Sequence, residues 1–176
     1  MSDENILIEG KRLRLRRADL NDLKFILNLQ TKPENEKFIV PFDEKFHTEI
    51  LTSNGSKKMD VIAQERDTLK PVGYFMLSEL DNPHNKVEIT QGIIDKKGRG
   101  YGRETFNLLL KWSFEIKKFH RVFLDCKEYN SVALHLYESL GFKREGIMRD
   151  TICTNGIYEN LVLLGILEDE FNAEEI

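Results

Sequence analysis

The chain has 176 residues, of which 40% are hydrophobic and 32% charged, the composition of a folded protein with an ordinary core rather than of a disordered chain. A formal net charge of −4 excludes a nucleic-acid binder whose affinity rests on overall basic charge. The same charge is compatible with a cationic partner such as an amine.

In chain order, Met1-Ser2-Asp3-Glu4-Asn5 is acidic and lacks the apolar core of a signal peptide. Short strands at 6–8 and 13–16 flank the turn Glu9-Gly10-Lys11. Arg12, Arg14 and Arg16 alternate with Leu13 and Leu15, as on a strand with one solvated basic face. Asp19 is placed to cap a helix carrying Leu20, Leu23, Ile26, Leu27 and Leu29, which Pro33 interrupts. Residues 34–55 read as two helices either side of a loop. Phe38, Ile39, Val40 and Phe42 in that loop suit either a substrate pocket or the core.

Strands at 58–64 and 71–78 and a turn at 81–85 lead into the β-branched run 87–94, an antiparallel meander. Strand alternation puts Glu88, Thr90 and Gly92 on one face of that run and Ile89 and Gln91 on the other. Gly92 marks a bulge or a close approach by another group. A long amphipathic helix then reaches about Phe119, a compact strand covers 121–126, and a helix from Asn130 stops at Gly141. Strands either side of Asn155-Gly156 close the chain as a hairpin.

Cys126 and Cys153 lie in β-like runs without zinc spacing, and both read as buried small hydrophobes. The four histidines show no ligand pattern, so no metal is expected. No apolar run approaches the ~18 residues of a membrane span. The expectation is one α+β domain, 1–176, in the cytoplasm, with neither nucleic acid nor membrane as partner.

The chemistry gathers at Asp95-Lys96-Lys97-Gly98-Arg99-Gly100-Tyr101-Gly102-Arg103, between the strand at 87–94 and the long helix. Glycine lets backbone N–H groups approach a ligand, and a helix start directs unpaired N–H groups and its positive dipole end to the same place. With Lys96, Lys97, Arg99 and Arg103 around it, the stretch reads as an anion site for phosphate or pyrophosphate. A P-loop would need Gly-Lys-Ser/Thr where Gly102 is followed by Arg103-Glu104. The glycines are also misspaced for a Rossmann turn, and antiparallel strands precede them.

Lys97-Gly98-Arg99-Gly100-Tyr101-Gly102 resembles the [Q/R]xxGx[G/A] signature of the GNAT superfamily of acyl-CoA N-acyltransferases, with Lys at its first position. Asn130-Ser131-Val132-Ala133-Leu134-His135-Leu136-Tyr137-Glu138-Ser139-Leu140-Gly141-Phe142 resembles that family's NxxAxxLYxxLGF. The opening Arg/Leu strand and the Asn155-Gly156 hairpin are similar to the RimJ/RimL-type branch, which includes ribosomal-protein and spermidine acetyltransferases. The resemblance implies a GNAT-like fold, a mixed, mostly antiparallel sheet of about seven strands flanked by about four helices. It also implies acetyl-CoA as cosubstrate, direct attack by a primary amine of a protein N-terminus or a small amine such as a polyamine, and a homodimer as compatible assembly.

On that footing the N–H groups from Gly98 to Arg103, through Arg99, Gly100, Tyr101 and Gly102, hold the pyrophosphate, with added charge from Lys97, Arg99 and Arg103. The backbone of Gly92, Ile93 and Ile94 pairs with the pantetheine arm, and one N–H there polarises the thioester. By resemblance Asn130 hydrogen-bonds that arm and Tyr137 protonates the departing thiolate. Their seven-residue spacing returns to one helical face. The amine must lose a proton, and Glu88 is the candidate base. A CoA-binding sensor without turnover is the alternative from another class; it would need no leaving-group acid.

Overall fold

Alternating apolar residues build most of the sheet, and one strand that breaks its alternation opens it. In this computed structural model residues 5–172 are described. The reading of residues 1–4 as lacking a signal core falls outside them. The elements run β1 (Ile6–Glu9), β2 (Leu13–Arg17), α1 (Leu23–Gln30), α2 (Pro33–Glu36), α3 (Glu44–Thr52), β3 (Met59–Glu65), β4 (Pro71–Ser78) and β5 (Lys86–Ile94). They continue with α4 (Tyr101–Lys111), β6 (Arg121–Lys127), α5 (Ser131–Ser139), β7 (Lys143–Thr154) and β8 (Ile157–Leu167). This is the expected α+β architecture, with eight strands and five helices rather than about seven and four. The elements read along the chain already number eight strands and five helices; only the family resemblance implies fewer.

The strand order is β1-β2-β3-β4-β5-β6-β8-β7, antiparallel except at β5–β6. That parallel pair holds only between Lys86–Glu88 and Arg121–Phe123. Beyond it the two strands part. Next door, the β4–β5 register passes from Met76↔Gln91 to Leu77↔Ile89, so Thr90 is the extra residue of a bulge. The bulge therefore sits at Thr90, not at Gly92. Gly92 pairs with Phe75, and a Cβ on it would meet the Phe75 ring at 2.7 Å, so its role is close approach. The bulge also overturns simple alternation along β5. Ile89 packs in the larger core with Phe75 and Phe106, while Ile93, four residues on, packs in the smaller core with Tyr74 and Met76.

The larger core lies under α4 and α5, and the smaller one under α1 and α3. The basic stripe is solvated only at Arg12; Arg14 is mostly covered and Arg16 lies inside. Arg16 is buried and makes a bidentate pair with Asp22, Nη1–Oδ2 2.7 Å and Nη2–Oδ1 2.8 Å, while its Nε donates to Gln64. Arg12 pairs with Glu104 at 2.7 Å and lies over the Tyr101 ring. Asp19 does cap, as expected, but it caps the short 3-10 turn Leu20–Asp22 that feeds α1. The long helix ends its regular α course at Lys111 and finishes in a π turn, Trp112–Ile116, short of Phe119. Asn155 and Gly156, with φ of 52° and 81°, make the two-residue hairpin turn. Cys126 is buried but Cys153 is exposed on β7, correcting the expectation that both lie inside.

Candidate active site

Where β5 and β6 part, β5 keeps β4 on one edge and presents a free backbone edge on the other. A cleft of about 720 Å³ opens there. Every residue expected from the sequence lines it except Arg99. The glycine turn forms one end. Gly98 and Gly100 have φ of 75° and 74°, a left-handed backbone that L side chains rarely adopt. A Cβ built on Gly98 would have nothing within 4 Å, so the surface there is bare backbone. Gly100 is the N-cap of α4 and offers no side-chain cap, leaving the first-turn N–H groups to a ligand. Gly102 differs: its φ is ordinary, and it lies against Leu136 of α5.

The basic residues are more committed than the sequence suggests. Lys97 Nζ donates to Asn35 Oδ1 at 2.8 Å and so ties the turn to α2. Lys96 and the Tyr101 hydroxyl both reach Glu65, at 3.2 and 2.9 Å. With Thr68 contributing most, these hydrogen bonds hold Glu65 down to about 2. Arg103 Nη2 donates to Ser139 Oγ at 2.6 Å, joining α4 to α5. Arg99 contributes its carbonyl, which accepts from Arg12 Nη1 at 3.0 Å. The turn thus presents bare backbone N–H groups and the start of α4 to the cleft, with Lys96, Lys97 and Arg103 around it each holding a protein partner as well.

The segment between α2 and α3 arches over the cleft. Tyr129 donates its hydroxyl to the Lys37 carbonyl at 2.6 Å, and Gln91 Nε2 donates to the Val40 carbonyl at 3.1 Å. Phe38, Ile39, Val40 and Phe42 line the cleft, and Ile39 and Phe42 also pack on the smaller core, so the segment is both cleft wall and core. Behind it, Gln30 Oε1 accepts from the Phe42 N–H at 2.9 Å, and Gln30 Nε2 lies 2.9 Å from His47 Nε2. His47 Nδ1 is 2.8 Å from Asp60 Oδ2, in full burial.

Two groups from α5 face the cleft. Asn130 caps that helix through Oδ1, which accepts from the Ala133 N–H at 3.3 Å. Among the described residues its amide nitrogen has no partner, so capping and ligand contact use different atoms. The Tyr137 ring lies between Phe106 and Phe142, with centroids 5.0 and 6.0 Å away. Its hydroxyl has no hydrogen-bond partner among the described residues. Burial, then the nearby Cys126 and Asp125, push its pKa well above the usual phenol value. It is thus a protonated donor at neutral pH.

On the opposite side, Glu88 Oε2 accepts from the Ser78 hydroxyl at 2.7 Å, and Ser78 Oγ is 2.6 Å from Thr90 Oγ1. Sequence reasoning missed Asp125 of β6, which also lines the cleft. It is exposed at the cleft, with the cleft walls close around it. Burial, and then the charge of Glu88, raise it to about 6. Its signal in the sequence was a lone carboxylate in the apolar run Val122-Phe123-Leu124-Asp125-Cys126. Burial pushes the Cys126 thiol up to about 12, so it is no thiolate nucleophile.

A free strand edge, a bare glycine cradle at a helix start, an unpartnered amide and an unpartnered phenol suit an extended acyl thioester with a pyrophosphate at one end. They define an acyl-CoA-dependent transferase with acetyl-CoA as cosubstrate. Residues 12–143 match the model of the acetyltransferase (GNAT) domain, and the chain belongs to that family. It is an N-acetyltransferase rather than a mere CoA sensor. It is 28% identical to the spermidine N(1)-acetyltransferase of Vibrio cholerae, over 92% of this chain and 96% of that one. A probable N-acetyltransferase of Bacillus subtilis, YjcK, is 27% identical over 93% of this chain and 98% of its own. Among solved structures, spermidine N-acetyltransferase from Vibrio cholerae in complex with CoA and spermine superposes with a TM-score of 0.80 at 26% identity, covering 92% of this chain and 98% of that one. No helix among the described residues is long and apolar enough to cross a membrane.

Proposed function

We propose that this protein transfers the acetyl group of acetyl-CoA to a primary amine of a linear polyamine such as spermidine. The observation that carries this reading is charge at the acceptor side of the cleft. Glu88 and Asp125 both line it, and neither forms an ion pair among the described residues. Two uncompensated carboxylates attract and orient an alkylammonium and disfavour an acidic acceptor. The likeness to spermidine acetyltransferases supports the same choice. It also suits a place in the RimJ/RimL-type branch on its polyamine side rather than its ribosomal-protein side.

Acetyl-CoA supplies the activated acetyl group. The N–H groups of the Gly98–Gly102 turn and the start of α4 hold its pyrophosphate. The free edge at Gly92, Ile93 and Ile94, with the Asn130 amide, holds the pantetheine arm, and an N–H of that edge polarises the thioester carbonyl. Glu88 receives the amine and accepts its proton. Tyr137 gives its proton to the departing thiolate. A homodimer would cover part of the β7–β8 hairpin, where Ile147, Ile157 and Tyr158 are exposed, and sedimentation velocity tests that assembly.

The test is release of free thiol from acetyl-CoA across a panel of spermidine, spermine, and peptides with N-terminal Ala or Ser. Turnover with polyamines well above that with peptides is expected. The reverse order overturns the polyamine reading. Tyr137→Phe should lower kcat about 100-fold, the scale of one general acid, with acetyl-CoA affinity near wild type. Unchanged kcat removes Tyr137 from its role.

A further inference from the structure

Two carboxylates meet where β5 and β6 part, and they are held differently. Glu88 and Phe123 are partners in the last step of the parallel ladder. Asp125 lies two residues further along β6, so its side chain shares the face of Phe123. The opposite face of β6 is set by Val122, Leu124 and Cys126, all in the larger core. Lys86, two residues before Glu88, places its ammonium over the Phe123 ring, 4.9 Å from the centroid, which fixes Glu88 on that same face. Glu88 and Asp125 thus flank the mouth of the opening from its two strands.

One oxygen of Glu88 is occupied by Ser78, at 2.7 Å. Asp125 has no hydrogen-bond or ion-pair partner among the described residues. Its charged surroundings are few. Glu88 acts on it from β5, and its own charge is felt at Tyr137 of α5 on the other side of the opening. On its own strand stand Cys126 and Lys127, whose ammonium pairs with Glu159 of β8 at 2.8 Å. Its cross-strand partner on β8 is the apolar Leu163. No cation neutralises it, and no donor occupies its lone pairs.

We propose that Asp125 is a catalytic residue, the base that takes the proton from the acceptor ammonium while Glu88, tethered by Ser78, holds that ammonium in place. This rests on the amine-acetylation reading and divides between two carboxylates the work assigned above to Glu88 alone. The ammonium gives one proton to Asp125. The nitrogen lone pair attacks the thioester carbonyl carbon and the C–N bond forms. The C–S bond breaks, and the thiolate takes the Tyr137 proton. The second proton on nitrogen returns to the Tyr137 phenolate, and Asp125 releases its proton to solvent. One amide, one thiol and one proton result, which balances the reaction. A carboxylate crowded by the cleft walls and facing a like charge holds its proton more tightly than a free aspartate, and that brings its basicity closer to an amine's.

The pH profile of kcat/KM tests this with whichever amine the panel shows to be turned over. The wild type should lose activity as pH falls through about 6, because Asp125 must be ionised to act. Asp125→Asn should lower kcat about 100-fold and abolish that acid limb, and Asp125→Glu should restore part of both. Glu88→Gln should move the limb to lower pH, because it removes the like charge that raises Asp125; a merely structural Asp125 would show no such shift. If Asp125→Asn keeps the acid limb and wild-type kcat with its acetyl-CoA affinity intact, Asp125 is not the base. That result leaves the polyamine reading standing. Turnover of peptides alone overturns the polyamine reading and leaves the Asp125 test to run on them.

Discussion

Gly92→Ala measures how tightly the cleft floor is packed. The added Cβ would stand 2.7 and 2.8 Å from two edge carbons of the Phe75 ring. Ordinary carbon contacts are about 3.5–4.0 Å, so one side must move by roughly 0.8 Å. Phe75 has no free path, being fully buried and set edge-on against Phe106 at 5.4 Å. Phe106 in turn packs on Tyr137 at 5.0 Å. Overpacking of this kind costs about 1–3 kcal/mol. For a chain of this size that is a fall in Tm of roughly 2–12 °C, read by circular dichroism. Phe75→Leu removes the offending ring edge, so the double variant should lose less than the two single losses combined, by at least about 0.5 kcal/mol. A Tm for Gly92→Ala within about 1 °C of wild type, or strict additivity in the double variant, would refute the close-approach account.

Gly100→Val should weaken acetyl-CoA binding about 10-fold or more by calorimetry, since φ of 74° strains any β-branched residue and disturbs the helix start. Unchanged affinity would mean that the turn is no pyrophosphate cradle. His47→Leu should destabilise by about 3–5 kcal/mol in urea, because it leaves the buried Asp60 with only the Tyr74 hydroxyl, at 3.3 Å. His47→Leu combined with Asp60→Leu should recover part of that loss; no recovery would show that packing, not the stranded charge, sets the cost. Asp125→Asn should be more stable than wild type at pH 7.5 and approach it as pH falls below about 3. The folded-state pKa of about 6 exceeds the ~3.9 of an unfolded aspartate, so the native state binds more protons between those values and loses stability as pH rises through them. A Tm difference independent of pH would argue against that shift.

Local chemistry alone determined much of this protein. Asn155-Gly156 specified a hairpin because both positions need positive φ, and both have it. Gly98 and Gly100 specified a bare backbone at a helix start, and Asn130 and Tyr137 specified one helical face, because these are constraints between residues a few positions apart. Tertiary structure decided what depends on chain segments far apart. Gly92 stands out in the strand from sequence alone, but only the Phe75 ring on β4 shows that it makes room, and only the β4–β5 register puts the bulge at Thr90. Arg16 reads from the sequence as solvated because alternation along a strand does not show that its other side is covered, by Asp22 six residues on and by Gln64, 48 residues away on β3. Lys97 reads from the sequence as a phosphate ligand, and only the tertiary structure shows that its ammonium also ties the turn to Asn35, 62 residues away. Asp125 stood in plain view in an apolar strand. Its meaning appeared only when the strands carrying it and Glu88 parted after three paired residues, because two like charges act on each other through space and not along the chain.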